Sequence, residues 1–248
     1  PEQCKIAEIL GAWDEAIALL EKLITAKRKL KQGLMQQLLT GKKRFKEFEG
    51  SEWETVRLKE IAFVDQRSLR SNTPEDYTFR YISLSDINNG EISKDLPEIC
   101  FAEAPSRARK LVSNNDIIMT TVRPNVKAFS IFKSDADKYV VSTGFAVITT
   151  KKGYSPDYLY QYIFSDHIEQ QINALVTGSN YPAINSSEIK QLSVYCSALA
   201  EQEKIASSLS AADTEISTLE KQLAAYKQQK RGLMQQLLTG KNRQHQDL

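Results

Sequence analysis

The sequence predicts an α+β fold: a globular mixed-sheet domain flanked by two long helices that form an antiparallel coiled coil. Two observations carry this. A block near the start recurs near the end after a displacement of 199 residues, and the span between the copies changes from helical periodicity to short β-rich runs. The reading divides the chain into a coiled-coil helix at 1–44, a globular domain at 45–197, and a second coiled-coil helix with a polar tail at 198–248.

The repeat comes first because a missed repeat misreads a whole fold. Gly33-Leu34-Met35-Gln36-Gln37-Leu38-Leu39-Thr40-Gly41-Lys42 recurs letter for letter from Gly232 to Lys241, and from Glu2 to Arg44 the copies agree at 25 of 43 positions. Copies this far apart cannot stack as a solenoid, which needs repeats in contact along the chain. At alternating spacings of four and three, the first copy places Ile6, Leu10, Trp13, Ile17, Leu20, Ile24, Lys27, Lys31, Leu34 and Leu38 on one stripe. The second places Ile205, Leu209, Ala212, Ile216, Leu219, Leu223, Tyr226, Lys230, Leu233 and Leu237 there. These are coiled-coil seams. Gly41 and Gly240, each followed by lysine, supply the glycine stop and cationic end of a helix. Each helix is then about 57 Å long at 1.5 Å per residue. A stripe that long needs cover, and the other copy is the nearest source. The intervening domain should have a radius of gyration near 15 Å. Antiparallel packing lets both of its ends leave one end of the helix pair, with the domain at the tip.

In the middle span, Tyr77–Leu84, Asp116–Val122, Lys127–Phe132 and Tyr139–Thr150 read as strands, rich in β-branched and aromatic residues. Asn88-Asn89-Gly90 reads as a turn. Ser155-Pro156 opens a helix as cap and first-turn proline, with Leu159, Tyr162, Ile163, Ile168 and Ile172 on its inner face.

Net charge is only +2, so bulk basicity announces no nucleic-acid binder. Distribution says more. The middle span carries seventeen Lys/Arg against twenty Asp/Glu, yet between 105 and 135 Arg107, Arg109, Lys110, Arg123, Lys127 and Lys133 face only Asp116 and Asp135. Local basicity suits phosphate contact, and arginines can read guanine edges. A polar loop, Thr177-Gly178-Ser179-Asn180-Tyr181-Pro182, adds hydrogen-bonding and aromatic groups able to approach a base edge. The candidate DNA-binding set is Arg67, Arg70, Arg107, Arg109, Lys110, Arg123, Lys127, Ser179, Asn180 and Tyr181. Taken singly, each has an ordinary explanation as a solvated charge or turn residue.

Catalytic constellations are poorly supplied. His167 and His245 are the only histidines, and Cys4, Cys100 and Cys196 are odd in number and widely spaced, which suggests neither disulfide nor zinc site. No phosphate-cradling glycine motif follows a strand. Glu188-Ile189-Lys190 with upstream Asp166 fits a metal-dependent nuclease only as a short match of the kind such a charged chain produces often. No apolar run reaches the roughly 20 residues of a membrane helix, so a cytoplasmic protein without a membrane partner is expected.

The repeated block resembles the conserved regions of specificity (S) subunits of type I restriction-modification systems: a Glu-Gln-x-Lys-Ile-Ala opening, a heptad-bearing helix and a Gly-Leu-Met-Gln-Gln-Leu-Leu-Thr-Gly-Lys close, all present twice. The middle is similar to that family's target recognition domain, from Trp53-Glu54-Thr55-Val56-Arg57-Leu58 to the Gly178 loop. Ser197-Ala198-Leu199-Ala200 stands where the family has a Pro-rich lead, and one recognition domain is visible where a full member has two. The resemblance implies the second half of an S subunit with its central helix retained. It also implies a non-catalytic subunit that reads one half of a bipartite site on double-stranded DNA. Methyltransferase (M) subunits with S-adenosylmethionine and restriction (R) subunits with Mg and ATP would supply the chemistry, and this chain would hold no cofactor. With one domain present, two copies are expected to associate as a homodimer. The alternatives are a coiled-coil scaffold without a DNA role and, further off, a nuclease.

Overall fold

The computed structural model describes residues 2–88, 90–135, 138–175 and 182–238. The chain divides into two compact units, one of Pro1–Met35 with Ser208–Leu248 and one of Gln36–Ser207.

The first unit is helical, formed from most of α1 (Glu2–Leu38) and most of α6 (Leu199–Leu238). Every predicted seam position between Ile6 and Leu34 is buried or half-buried, as is every one between Leu209 and Leu237. The partners run in opposite directions. Lys230 meets Asp14, Lys227 meets Glu21 at 2.6 Å, Arg28 meets Glu220 at 2.5 Å and Lys31 meets Asp213 at 2.6 Å. Trp13 lies edge-on to Tyr226 at 5.5 Å. The antiparallel pair follows from covering two apolar stripes, each fully buried leucine contributing about 1.5–3 kcal/mol. Flanking ion pairs set direction more than they stabilise.

The second unit is α+β. Its ends are joined by an antiparallel ribbon of β1 (Glu54–Arg57) and β12 (Ser193–Cys196), with Glu54 opposite Cys196. A mixed sheet has the order β6 (Glu98–Cys100), β3 (Thr78–Ile82), β10 (Tyr139–Ser142), β7 (Ala108–Val112), with β3 and β10 parallel. An antiparallel sheet has the order β2 (Ala62–Val64), β11 (Phe145–Thr150), β8 (Ile117–Thr120), β9 (Phe129–Ile131). Ile82, Ile118, Val141, Phe145 and Val147 form one buried cluster that draws on both sheets. β4 (Ile87–Asn88) and β5 (Glu91–Ile92) pair antiparallel, and Gly90 at φ +82 fits the expected turn. Short helices α2 (Leu58–Ile61), α3 (Pro156–Tyr162), α4 (Asp166–Leu175) and α5 (Ser186–Ile189) complete the unit. The Ser155 hydroxyl caps α3 by accepting from the Tyr158 N–H, and Leu159, Tyr162, Ile163, Ile168 and Ile172 are all buried, but the single helix expected there is two, α3 ending at Tyr162 and α4 starting at Asp166.

Several strand boundaries differ from expectation, β8 among them, which ends at Thr120 and leaves Val122 in the loop that follows. The run from Tyr139 to Thr150 is two strands in two sheets, because the register shifts after Val141 and the chain turns at Thr143-Gly144. The strand expected from Lys127 starts at Phe129, since Lys127 sits in the left-handed region at φ 52. Leu84 leaves β3 for a single 3-10 turn, where Asp86 accepts from both the N–H and the hydroxyl of Ser83.

The repeat's Glu-Gln opening has a visible use in its second copy. Glu201, fully buried, accepts from Arg44 at 2.6 and 2.9 Å and from the Trp53 indole at 3.0 Å. This pair holds the Arg44 guanidinium pKa above its ordinary value. Gln202 accepts from the Ser155 N–H at 3.0 Å and donates to the Ser197 carbonyl at 2.7 Å. Gly41, at φ +68, stops α1 and lies 3.3 Å from the Trp53 ring by its would-be Cβ, so a larger residue there meets strain and crowding together. The matching Gly240 lies outside the described residues.

Candidate nucleic-acid interface

The predicted basic residues fall into two groups that meet at one turn. The first lines the outer edge of β7. There the segment Arg67–Leu69 runs alongside: the Leu69 N–H donates to the Arg109 carbonyl at 2.7 Å and the Leu111 N–H to the Arg67 carbonyl at 3.1 Å. This pairing blunts what would be an open sheet edge and collects Arg67, Arg70, Arg107, Arg109 and Lys110.

Their charges are committed unequally. Arg67 donates to buried Asp116 at 2.8 Å and to Ser113 at 2.5 Å. Arg109 lies over the Phe101 ring at 5.0 Å and bonds the Ala108 carbonyl. Lys110 corrects the sequence reading most: its ammonium is drawn inward to Asp65 at 2.8 Å and to the Phe145 carbonyl, leaving the side chain 14% exposed. It ties the two sheets together and presents no charge outward. Arg70 and Arg107 are exposed and, among the described residues, their guanidinium groups have no protein partner.

The second group is the loop from Thr121 to Ala128, between β8 and β9. Arg123 and Lys127 both hold left-handed backbone, at φ 50 and 52, around a buried Pro124. Side chains with a Cβ rarely adopt this region, and a residue before proline prefers extended backbone, so Arg123 is displaced from its preference twice over. Neighbours impose the shape. The Arg123 N–H donates to the Pro182 carbonyl at 2.7 Å, the Ile184 N–H donates to the Thr121 carbonyl at 2.9 Å, and Lys127 pairs with Glu169 of α4 at 2.8 Å. Val122 and Val126 are left exposed together with Arg123 and Asn125.

The Thr143-Gly144 turn joins the groups. The Thr143 N–H donates to the Arg107 carbonyl at 2.8 Å, and the Thr121 N–H donates to the Gly144 carbonyl at 2.9 Å. Arg107 and the Arg123 loop are therefore held by successive residues of one turn. Sequence reasoning missed Asn125, Val126 and Thr143; the tripeptide Arg123-Pro124-Asn125 was a signal for a turn, but its left-handed flanks were not. Ser179, Asn180 and Tyr181 lie outside the described residues; the Pro182 carbonyl is the one that accepts from the Arg123 N–H.

Carboxylates once grouped as a nuclease match have separate local duties. Glu188 accepts from the Asn185 N–H at 2.8 Å in the capping box of α5, while Asp166 accepts from Gln36 at 2.9 Å. His167 stacks on Tyr195 at 4.5 Å, with Nδ1 2.8 Å from the Tyr162 hydroxyl. Burial lowers the His167 pKa and raises that of Tyr162, so both favour their neutral forms in a packing cluster. Among the described residues no helix is long and apolar enough to cross a membrane.

The family described as type I restriction modification DNA specificity domain matches residues 50–226. The chain is 27% identical over 263 residues to the type I restriction enzyme MjaVIII specificity subunit of Methanocaldococcus jannaschii, covering 98% of this chain and 60% of that relative. It is 24% identical over 170 residues to the HindI specificity subunit of Haemophilus influenzae, covering 67% of this chain and 36% of that one. Among solved structures, the HsdS subunit of Thermoanaerobacter tengcongensis aligns with a TM-score of 0.61 and 26% identity, over 76% of this chain and 50% of that one. A chain from a structure addressing complex assembly and conformational transition of the type I R-M system aligns at 0.65 and 28%, over 79% and 51%. The chain thus spans about three-fifths, or less, of these relatives. With its match extending over most of the length, the chain belongs to the type I restriction modification DNA specificity domain family.

Proposed function

We propose that this chain reads one half of a bipartite DNA site as the non-catalytic specificity component of a type I restriction-modification complex. The observation that carries the reading is the convergence of unpaired Arg107 and the doubly constrained Arg123 loop on the Thr143-Gly144 turn, within a domain of this family. Side chains on a loop fixed at both ends keep their register on a duplex, which separates sequence reading from loose electrostatic attraction. Arg70, Arg107, Arg109 and Lys127 supply phosphate contacts; Arg123, Asn125 and the Ser179-Asn180-Tyr181 segment face base edges; Arg67 positions the β7 edge through Asp116. M subunits carry out S-adenosylmethionine-dependent methylation and R subunits the ATP- and Mg-dependent steps, with this chain docked to them. Two copies associate to present two recognition domains. The subunit works in the cytoplasm beside DNA.

Binding and methylation assays on the reconstituted complex test this. Arg123→Ala should lower affinity for the cognate site by about tenfold or more and relax discrimination at one base position, as expected for loss of about 1–3 kcal/mol. Arg107→Ala should weaken all sequences alike and flatten the salt dependence by about one unit of slope. A scaffold without a DNA role predicts unchanged methylation in both variants.

A further inference from the structure

α1 carries a second heptad stripe that α6 does not cover. Ile9, Ala12, Ala16, Leu19, Leu23, Ala26 and Leu30 follow one another at spacings of three and four, and all but half-buried Ala16 are exposed. Leu19 is 70% and Leu30 58% exposed. The repeat supplies an internal control. At the matching positions α6 has Ser208, Thr218, Gln222 and Gln229 where α1 has Ile9, Leu19, Leu23 and Leu30. Pairing of α1 with α6 therefore does not require this apolar face, and exposed apolar stripes of this kind mark interaction surfaces.

Charges beside the stripe specify what covers it. Asp14, Glu21 and Arg28 are engaged with α6. Glu8, Glu15, Lys22 and Lys29 flank the second stripe, are exposed, and have no ion-pair partner among the described residues. They run acidic then basic. Two copies of α1 set antiparallel would place Glu8 beside the second copy's Lys29 and Glu15 beside its Lys22, so all four flanking pairs are attractive. In that register Ile9 faces Ala26, Ala12 faces Leu23 and Ala16 faces Leu19, a large residue against alanine in each of these pairings, while Leu30 falls at the end of the contact opposite Lys5. Parallel alignment would instead stack each residue on its own counterpart, crowding leucine on leucine and leaving gaps between alanines.

We infer that this face of α1 is the contact between two copies of the chain, packed antiparallel about a two-fold axis between Ala16 and Leu19. The inference rests on the proposal that two copies associate, and it supplies the surface, direction and register. Such a contact is isologous and closes on itself, giving a dimer rather than a filament.

Sedimentation of the full chain, from about 1 to about 100 μM, is the test, with DNA binding measured in parallel on the same samples. The wild type should approach twice the monomer mass. Leu19→Glu, at a position exposed in the single chain, should leave it monomeric with unchanged helical content. Glu8→Lys with Glu15→Lys should abolish association, as should Lys22→Glu with Lys29→Glu, and reversing all four should restore it. A monomeric wild type, or a dimer indifferent to Leu19→Glu and the charge sets, overturns the assignment. So does loss of methyltransferase-subunit capture by Leu19→Glu with no self-association to lose, which would give the face to that subunit. If the DNA reading alone is wrong, the duplex fails to bind while sedimentation still reports the dimer.

Discussion

Leu19 and Leu20 are neighbours in sequence with opposite surroundings, and replacing each by alanine tests the coiled-coil assignment. Leu20 is 7% exposed on the seam facing α6, whereas Leu19 is 70% exposed. Truncating a buried leucine removes its transfer free energy and leaves a cavity, together about 3 kcal/mol within a measured span of about 2–5. Truncating an exposed one removes little, within about 0.5 kcal/mol. The helical unit is small, so each kcal/mol shifts its midpoint by about 4–8 °C. Leu20→Ala should therefore lower the helical melting transition by about 12 °C or more, and Leu19→Ala by a few degrees at most. Circular dichroism at about 1 μM, below the concentration at which a short interhelical contact persists, isolates the effect within one chain. Equal shifts, or a larger one for Leu19→Ala, would mean that the two apolar stripes have been assigned to the wrong faces.

Asp116→Ala removes the acceptor shared by Arg67, the Ser113 N–H and the Thr149 hydroxyl, and should cost about 1–3 kcal/mol in urea unfolding. Burial depresses the folded-state pKa of His167, so folding binds fewer protons than the unfolded chain. Stability should be full above the unfolded value near 6.5 and decline as pH falls below it, with His167→Gln showing a flatter profile in chemical denaturation. Cys196, whose thiol is pushed up to about 12 chiefly by burial, should resist iodoacetamide at pH 8 while exposed Cys4 is alkylated, as read by mass spectrometry. Lys127→Gly should leave stability nearly unchanged, because relief of left-handed strain offsets glycine's entropy cost; Lys127→Val should lose about 1–2 kcal/mol.

The helices were legible because their determinants are local and periodic: the heptad spacing named every seam position, and Gly41 named its own stop. The cap at Ser155 was legible for the same reason, since a hydroxyl followed by proline acts over one turn. Strand limits were not, because they depend on pairing. A continuous β-branched run from Tyr139 to Thr150 has no local mark of the point where one sheet gives way to another, and Lys127 leaves its strand through backbone geometry imposed by Pro124 and α4. The basic window was visible as a sum of charges, but Lys110 differs from Arg107 only by what lies across the fold, Asp65 in one case and solvent in the other.

On the proposed DNA-reading role, that contrast bears on how a mildly acidic domain would face a polyanion. Charge that is already paired, as Lys110 with Asp65 and the exposed Arg67 with buried Asp116, fixes the frame and adds less to the outward field. Arg107 is exposed on a strand edge whose backbone is paired, and the Arg123 loop is pinned by three elements, so the outward groups lose little conformational entropy on meeting a ligand. Specificity then grows from placement rather than from attraction. Low bulk basicity would also limit binding to arbitrary sequence in that role, where the useful quantity is the ratio of specific to non-specific affinity. Near-neutral composition and a rigid, locally basic turn are thus parts of one solution.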